Sequence, residues 1–207
     1  MEFMELANQR RSVRAYRDQP VPRALMDEII QAAQLAPSWK NSQTGRYYVA
    51  LEPTAQAKVR ACLPSYNQKS SAHAALIVTG YEKGVSGFNG NEPVNELGDQ
   101  WGAYDLGLQN MLLCLKAREL GLDTLIMGIR DADALRAAAG IPDSEAVFAV
   151  IALGYRDQDP APRPRTAVGG SGGVLIKCMI CRFFFSVKKK AAQKEKHRNT
   201  NREVAMM

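Results

Sequence analysis

Residues 99–120, DQWGAYDLGLQNMLLCLKAREL, predict the longest helix of the chain. Asp99 can cap its first turn, and Gly121 can end its last one. One apolar stripe recurs at helical spacing at Leu108, Met111, Leu112 and Leu115. Small residues keep another stretch of the helix narrow, at Ala103, Gly107 and Cys114. We therefore expect this helix at the centre of the fold or at a subunit interface.

Strands and shorter helices alternate on both sides of the long helix. The continuous apolar run at residues 75–78, ALIV, predicts a strand that is covered on both faces. Further helices are predicted at 22–36, 55–63 and 133–139, further strands at 47–51 and 146–153, and a short strand or loop at 123–127. This order predicts an α+β fold in layers. Residues 82–98 are rich in Gly and Asn, which favours a long, mobile and functional loop.

The charge of the chain is unevenly distributed. The formal net charge of the 207 residues is +6, and the excess lies between residues 177 and 202, where Glu195 is the one acid among nine basic residues. The residues before this tail are close to neutral, so nucleic acid is not an expected partner. Residues 169–173, GGSGG, predict a flexible linker. The segment after it is an added peptide, a frame-shifted terminus or a native basic arm.

The cysteines and the first residues predict a cytoplasmic protein. Four cysteines are too few for a disulfide scaffold in a chain of this length. The acidic start does not resemble a secretory signal, and no apolar run reaches the about 18 residues that span a bilayer. Cys178 and Cys181 alone are a weak zinc pattern, so we predict no metal site and no membrane partner.

A cationic segment lies near the N-terminus at residues 10–14, RRSVR. In an extended segment Arg10, Ser12 and Arg14 project to one side, and Arg11 and Val13 to the other. Two guanidinium groups and a hydroxyl on one side suit a phosphate. By itself the pattern is more typical of a charged surface or a nucleic-acid contact.

A polar segment, residues 38–43 (SWKNSQ), follows the helix that ends before Pro37. Its amide and hydroxyl groups carry both donors and acceptors, which could bind the pyrimidine edge of a flavin. The alternative is that Asn41 and Gln43 only cap a turn.

These segments, in their order along the chain, resemble the FMN-dependent nitroreductase family. The resemblance covers about residues 3 to 165 and includes the helix end Glu119-Leu120-Gly121-Leu122, the Ile126-Met127-Gly128 turn, Ala152-Leu153-Gly154-Tyr155 and Arg163-Pro164-Arg165. It implies a central, mostly antiparallel sheet flanked by helices, in a homodimer with the cofactor at the interface. It also implies an FMN-binding domain at residues 1–167, followed by the linker and basic tail at 168–207.

The resemblance assigns the cofactor-binding residues. The phosphate and ribityl chain would contact Arg10, Arg11, Ser12 and Arg14, joined by Arg163 or Arg165. The ring would contact Pro37, Ser38, Asn41 and Gln43 and the backbone N–H groups of Met127 and Gly128. No catalytic acid or base is implied. Phe88, Trp101 and Tyr104 would either line the acceptor site or pack in the core.

The implied activity is an NAD(P)H-dependent flavin oxidoreductase. FMN would be reduced by NAD(P)H and then reoxidised by a small electron-poor acceptor, a nitroaromatic or a quinone, in a ping-pong cycle. Two alternatives are a flavin-binding protein of the same fold without reductase activity and an interaction module that uses the basic tail.

Overall fold

The computed structural model describes residues 2–166. In chain order, its helices and strands are α1 (Phe3–Gln9), α2 (Arg23–Gln34), a 3₁₀ turn (Trp39–Asn41), β1 (Gly45–Ala50), α3 (Pro53–Ala61), α4 (Ser65–Ser70), β2 (Ala75–Glu82), β3 (Phe88–Asn89), β4 (Glu92–Pro93), α5 (Gln100–Glu119), β5 (Asp123–Met127), α6 (Ala132–Ala139) and β6 (Glu145–Gly154). One compact unit of the chain ends at Ala161.

The central sheet has the strand order β1-β2-β6-β5, and every neighbouring pair is antiparallel. The α+β prediction is therefore confirmed. The register of β2 against β6 shifts between Thr79 and Gly80, which is a bulge in the middle of the sheet. The strands β1 and β5 form the two edges.

Helices cover each face of the sheet. Side chains on a strand alternate between the faces, so the apolar strands present apolar groups on both sides. On one face, Ile77 and Ile151 pack with the buried residues of α2 and α5, such as Ile29 and Leu113. The opposite face, which includes Leu76, packs with residues of α3, α6 and their flanks, at Val59, Leu63 and Leu135. The apolar run of β2 is covered on both sides, as its sequence predicts.

The helix α5 is rotated relative to the orientation that its leucine stripe predicts. Leu106, Leu113 and Ala117 are fully buried, whereas in the predicted stripe Leu115 is buried and Met111 is 43% exposed. Leu108 and Leu112 are only half-buried. Burial of a second apolar stripe against the sheet leaves Met111 and Tyr104 on an open side of the helix.

Residues 82–98 contain packed structure that the glycine-rich composition does not predict. The two short strands β3 and β4 pair in a hairpin, and Ser86 at its base is buried. Asp99 makes no cap to its own helix, because its Oδ1 accepts from the Gly84 backbone N–H at 2.6 Å. The carboxylate therefore closes the base of this segment. The helix α4 begins after Pro64 and has no apolar periodicity by which it could be predicted.

Within residues 2–166, no helix is long and apolar enough to cross a membrane. The same residues contain no cluster of three or more His, Cys, Asp or Glu side chains suited to a metal ion. Cys178 and Cys181 lie outside the described residues.

Candidate functional site

The cationic segment lies along the outer edge of β5. Ser12 forms a parallel bridge with Thr124, and the Val13 N–H donates to the Thr124 carbonyl at 3.0 Å. Val13 is 1% exposed, whereas Ser12 and Arg14 face outward. The alternation predicted for an extended segment is therefore present, with an apolar anchor on one side and polar groups on the other.

The guanidinium groups of Arg11 and Arg14 have only carbonyl partners within residues 2–166. Arg11 Nη1 donates to the Asn8 carbonyl and, at 3.0 Å, to that of Arg10, while Arg14 Nη1 lies 3.3 Å from the Ser12 carbonyl. Within residues 2–166, none of the ion pairs involves Arg10, Arg11 or Arg14. The positive charge of the segment therefore has no carboxylate among the described residues to neutralise it.

The charge of Arg10 also influences the C-terminal half of α5, at Cys114. Burial raises the pKa of the Cys114 thiol, while a hydrogen bond with the Thr124 side chain and the positive charge of Arg10 act in the opposite direction. Ser12 is paired with Thr124 at the beginning of β5, the same residue that bonds to the Cys114 thiol.

A buried ion cluster beneath the segment holds it in place. Asp123 is 1% exposed, and its two oxygens accept from Arg156 Nε and Nη2, each at 2.6 Å. Arg118 Nη1 donates to the same carboxylate at 2.8 Å. Arg156 Nη2 also lies 3.4 Å from the Gln9 carbonyl, so the cluster reaches the end of α1. The sequence gives no sign of this cluster, because Arg156 and the Gln9 carbonyl lie far along the chain from Arg118 and Asp123.

The remaining length of the β5 edge is open. On this side the bridge of Ser12 with Thr124 is the one strand pairing of β5 among the described residues. Met127 is buried in the core, and Gly128 is exposed. Any contact of Met127 with a ligand must therefore use its backbone, as predicted. From Thr124 to Gly128 the edge is about 13 Å long at the usual rise per strand residue.

The polar segment 38–43 has an unusual backbone. Lys40, Asn41 and Gln43 have positive φ angles of 47°, 56° and 52°, in the left-handed region that favours glycine. The Gln43 N–H donates to Ser38 Oγ at 3.0 Å, so the hydroxyl of Ser38 stabilises its own turn. The side chains of Asn41 and Gln43 are exposed and make no hydrogen bond within residues 2–166. They are free to bind another molecule.

The structure places the two groups of predicted residues at opposite edges of one sheet. The segment 38–43 leads into β1, and Met127 ends β5. Three strand spacings, about 14 Å, separate these edges. Within one protomer, therefore, Arg10, Ser12 and Arg14 share an edge with Gly128 but not with Asn41.

The remaining predicted residues lie outside these two groups. Pro37 is exposed just before the polar segment. Arg163 and Arg165 follow the compact unit that ends at Ala161, and their role stays a prediction. Trp101 packs between Trp39 and Tyr104, with ring centroids at 5.0 Å and 5.7 Å, and Phe88 begins the hairpin. A groove of about 620 Å³ between α2 and β1, lined by Tyr47 among others, contains none of the predicted cofactor residues.

Known proteins resemble most of the compact unit. Residues 7–155 match the model of the nitroreductase family. A proposed NADH dehydrogenase/NAD(P)H nitroreductase of Archaeoglobus fulgidus is 29% identical over 158 residues, which are 74% of this chain and 85% of that protein. The NADH dehydrogenase of Thermus thermophilus is 29% identical over 77% of this chain and 89% of its own. The crystal structure of a proposed nitroreductase of Exiguobacterium sibiricum in complex with FMN has a TM-score of 0.72 and 25% identity, over 82% of this chain and 95% of its own.

Proposed function

The chain belongs to the nitroreductase family, and we propose that it is an FMN-dependent oxidoreductase that uses NAD(P)H to reduce nitroaromatics, quinones or similar electron-poor acceptors. The observation that carries the proposal is the cationic segment on the open edge of β5. Its guanidinium groups have no carboxylate partner within residues 2–166, and they lie beside a free backbone edge about 13 Å long.

The residues present fit a flavin mononucleotide. Arg10, Ser12 and Arg14 supply the fork-shaped and hydroxyl donors that a phosphate requires, with Arg11 behind them. At the other end of the edge, Gly128 has no side chain and nothing lies within 4 Å of the position where its Cβ would be. A planar ring could approach the backbone closely at that point.

The separation of the two polar groups favours a homodimer. Asn41, Gln43, Ser38 and Pro37 would then contact the flavin held by the partner's cationic segment. The open side of α5 suits such an interface, because Tyr104 is 59% exposed next to the exposed Met111. Phe3 and Met4 of α1 add further exposed apolar surface, and α1 packs against α5.

The chemistry would follow from the cofactor, since bound FMN accepts a hydride from NAD(P)H and passes reducing equivalents to an acceptor. The residues of the chain would bind and orient the cofactor. The arginines would neutralise the phosphate, the backbone at Gly128 would bind the ring, and the amides of Asn41 and Gln43 would donate and accept at the polar edge of the flavin. We assign no side chain as acid or base. NAD(P)H and the acceptor would use one site in turn, which is a ping-pong cycle.

The first experiment compares two arginine variants. The wild-type protein is expected to purify yellow or to bind added FMN, with NADH or NADPH bleaching the flavin and a quinone or nitro compound restoring its colour. Arg14→Ala should weaken FMN binding roughly 10- to 100-fold, because a charged hydrogen bond is lost. Arg17→Ala, an exposed arginine outside the segment, is the matched control.

Each result has one interpretation. A wild-type protein that binds no FMN overturns the whole proposal. Bound flavin that NADH and NADPH fail to bleach indicates a binding protein without reductase activity. Equal FMN affinities of the Arg14→Ala and Arg17→Ala variants would place the phosphate elsewhere.

A further inference from the structure

We infer that Asp105 is a positioning residue, which joins the flavin-contacting segment 38–43 to residues 82–98 in one hydrogen-bonded unit. The inference rests on the proposed function for the role of segment 38–43. Its consequence is that flavin binding and the shape of the 82–98 segment depend on each other. Asp105 is not among the residues that the sequence pattern marks.

The carboxylate of Asp105 connects three parts of the chain. It lies on the first turns of α5 and is 2% exposed. Its Oδ2 accepts from the Trp39 backbone N–H at 2.9 Å and from Ser86 Oγ at 2.7 Å. Within residues 2–166, Asp105 forms no ion pair. A buried carboxylate is costly unless it is well hydrogen-bonded, so these two donors are essential to it.

Ser86 relays this interaction to the end of the polar segment. Ser42 Oγ lies 2.8 Å and Thr44 Oγ1 3.2 Å from Ser86 Oγ. A hydroxyl has one proton, and Ser86 donates it to Asp105, so the hydroxyls of Ser42 and Thr44 must be the donors to Ser86. The direction of every bond in the unit is therefore fixed. Trp39 and Ser42 bracket the left-handed residues Lys40 and Asn41 and hold them from both sides.

An aromatic contact links the same two segments a second time. Trp39 packs against Trp101 at 5.0 Å, and Trp101 Nε1 donates to Asn95 Oδ1 at 3.1 Å. Trp39 Nε1 is buried and has no partner within residues 2–166. A shift of Trp39 would therefore displace Trp101 and, through Asn95, the 82–98 segment. Both tryptophans of the chain belong to this contact, so tryptophan emission reports on it alone.

The experiment compares Asp105→Ala, Asp105→Asn and Ser86→Ala in the full chain. The asparagine keeps an acceptor oxygen for both donors, so it should bind FMN close to the wild-type affinity. The alanine at 105 should weaken FMN binding roughly ten-fold, which is the effect of one or two buried hydrogen bonds. It should also raise the acceptor KM more than it lowers kcat. The exposed Ser65→Ala is the control for Ser86→Ala.

A second readout does not depend on the flavin. In protein without FMN, Asp105→Ala should shift the tryptophan emission to longer wavelength and speed hydrogen exchange in residues 82–98, while Asp105→Asn should do neither. Unchanged emission and exchange in Asp105→Ala overturn the inference. If wild-type protein binds no FMN but these flavin-free changes occur, the proposed function fails and the coupling stands.

A folding defect would not prevent the test. Where Asp105→Ala does not fold, a double-mutant cycle tests the same hydrogen-bonded unit. It compares Ser42→Ala, Ser86→Ala and the double variant. Less-than-additive effects on FMN affinity support the coupling, and additive effects overturn it.

Discussion

A Cβ atom added at Gly102 would lie 2.4 Å from Cδ2 of Tyr81, so α5 and β2 meet here without space for a methyl group. We predict that Gly102→Ala lowers the free energy of unfolding by about 1–3 kcal/mol, although alanine normally favours a helix. Urea denaturation measures the change. Unchanged stability would mean that the Tyr81 ring moves aside without cost.

Gly107 on the same helix is the matched position, because nothing lies within 4 Å of the Cβ that alanine would add there. Gly107→Ala should leave the free energy of unfolding unchanged or raise it by about 1 kcal/mol. In a homodimer packed through this side of α5, the added methyl group should also weaken self-association. Light scattering over a dilution series measures this effect, and an equally tight dimer would exclude this side of α5 from the interface.

The ion cluster around Asp123 should be essential for stability. Asp123→Ala leaves Arg118 and Arg156 partly buried without their carboxylate, and we expect a loss of about 3–5 kcal/mol in the free energy of unfolding. Because Arg156 also contacts the Gln9 carbonyl, FMN affinity should fall too. Asp133→Ala removes an exposed carboxylate and is the control. Equal stability of the two variants would contradict this account.

Stability should decline in alkaline solution. Burial, followed by the hydrogen bond to Glu145, raises the pKa of Tyr48 from 10.0 to about 12. The folded state therefore retains the phenolic proton where the unfolded state loses it, so this contribution is complete below pH 10 and is lost between pH 10 and 12. Tyr48→Phe should flatten the decline, measured by urea denaturation at each pH. The exposed Tyr66→Phe should leave the decline as it is in the wild type.

The left-handed residues of segment 38–43 separate backbone from side-chain effects. Lys40→Gly should raise the free energy of unfolding by about 1 kcal/mol, because the positive φ no longer strains a side chain, and FMN affinity should not change. Asn41→Gly relieves the same strain but removes the amide, so FMN affinity should fall. Isothermal titration with FMN compares the two. Equal affinities would leave Asn41 without a ligand role.

Much of the fold follows from local patterns. The strand β2 is predicted by its apolar run, α6 by its alanines and the Gly140 end, and the exposure of Ser12 and Arg14 by simple alternation. The rotation of α5 is different, because two apolar stripes compete and only the shape of the sheet decides which one is buried. The sequence pattern favours burial of the stripe that contains Met111, but the folded protein buries the stripe that contains Leu106 and Leu113.

The site is less predictable than the fold, because most of its contacts depend on the assembled sheet and not on local sequence. Arg10, Ser12 and Arg14 are adjacent in sequence, so their pattern is visible. Asp105 and Asp123 act through partners that lie up to 66 residues from them in the chain, and local spacing carries no sign of such contacts. The position of segment 38–43 on the edge opposite to β5 depends on strand order, which emerges only from the assembled sheet.

The pairing of Tyr16 with Arg156 brings the beginning and the end of the compact unit side by side, and Asp157 N–H donates to the Ala15 carbonyl at 3.0 Å. A linker long enough to span the length of α1 could therefore join residue 161 to residue 2. New termini could then be opened at the exposed turn of residues 90–91, between β3 and β4. Such a circular permutant would keep every pairing of the central sheet, and the order of synthesis, rather than the architecture, would be what changes.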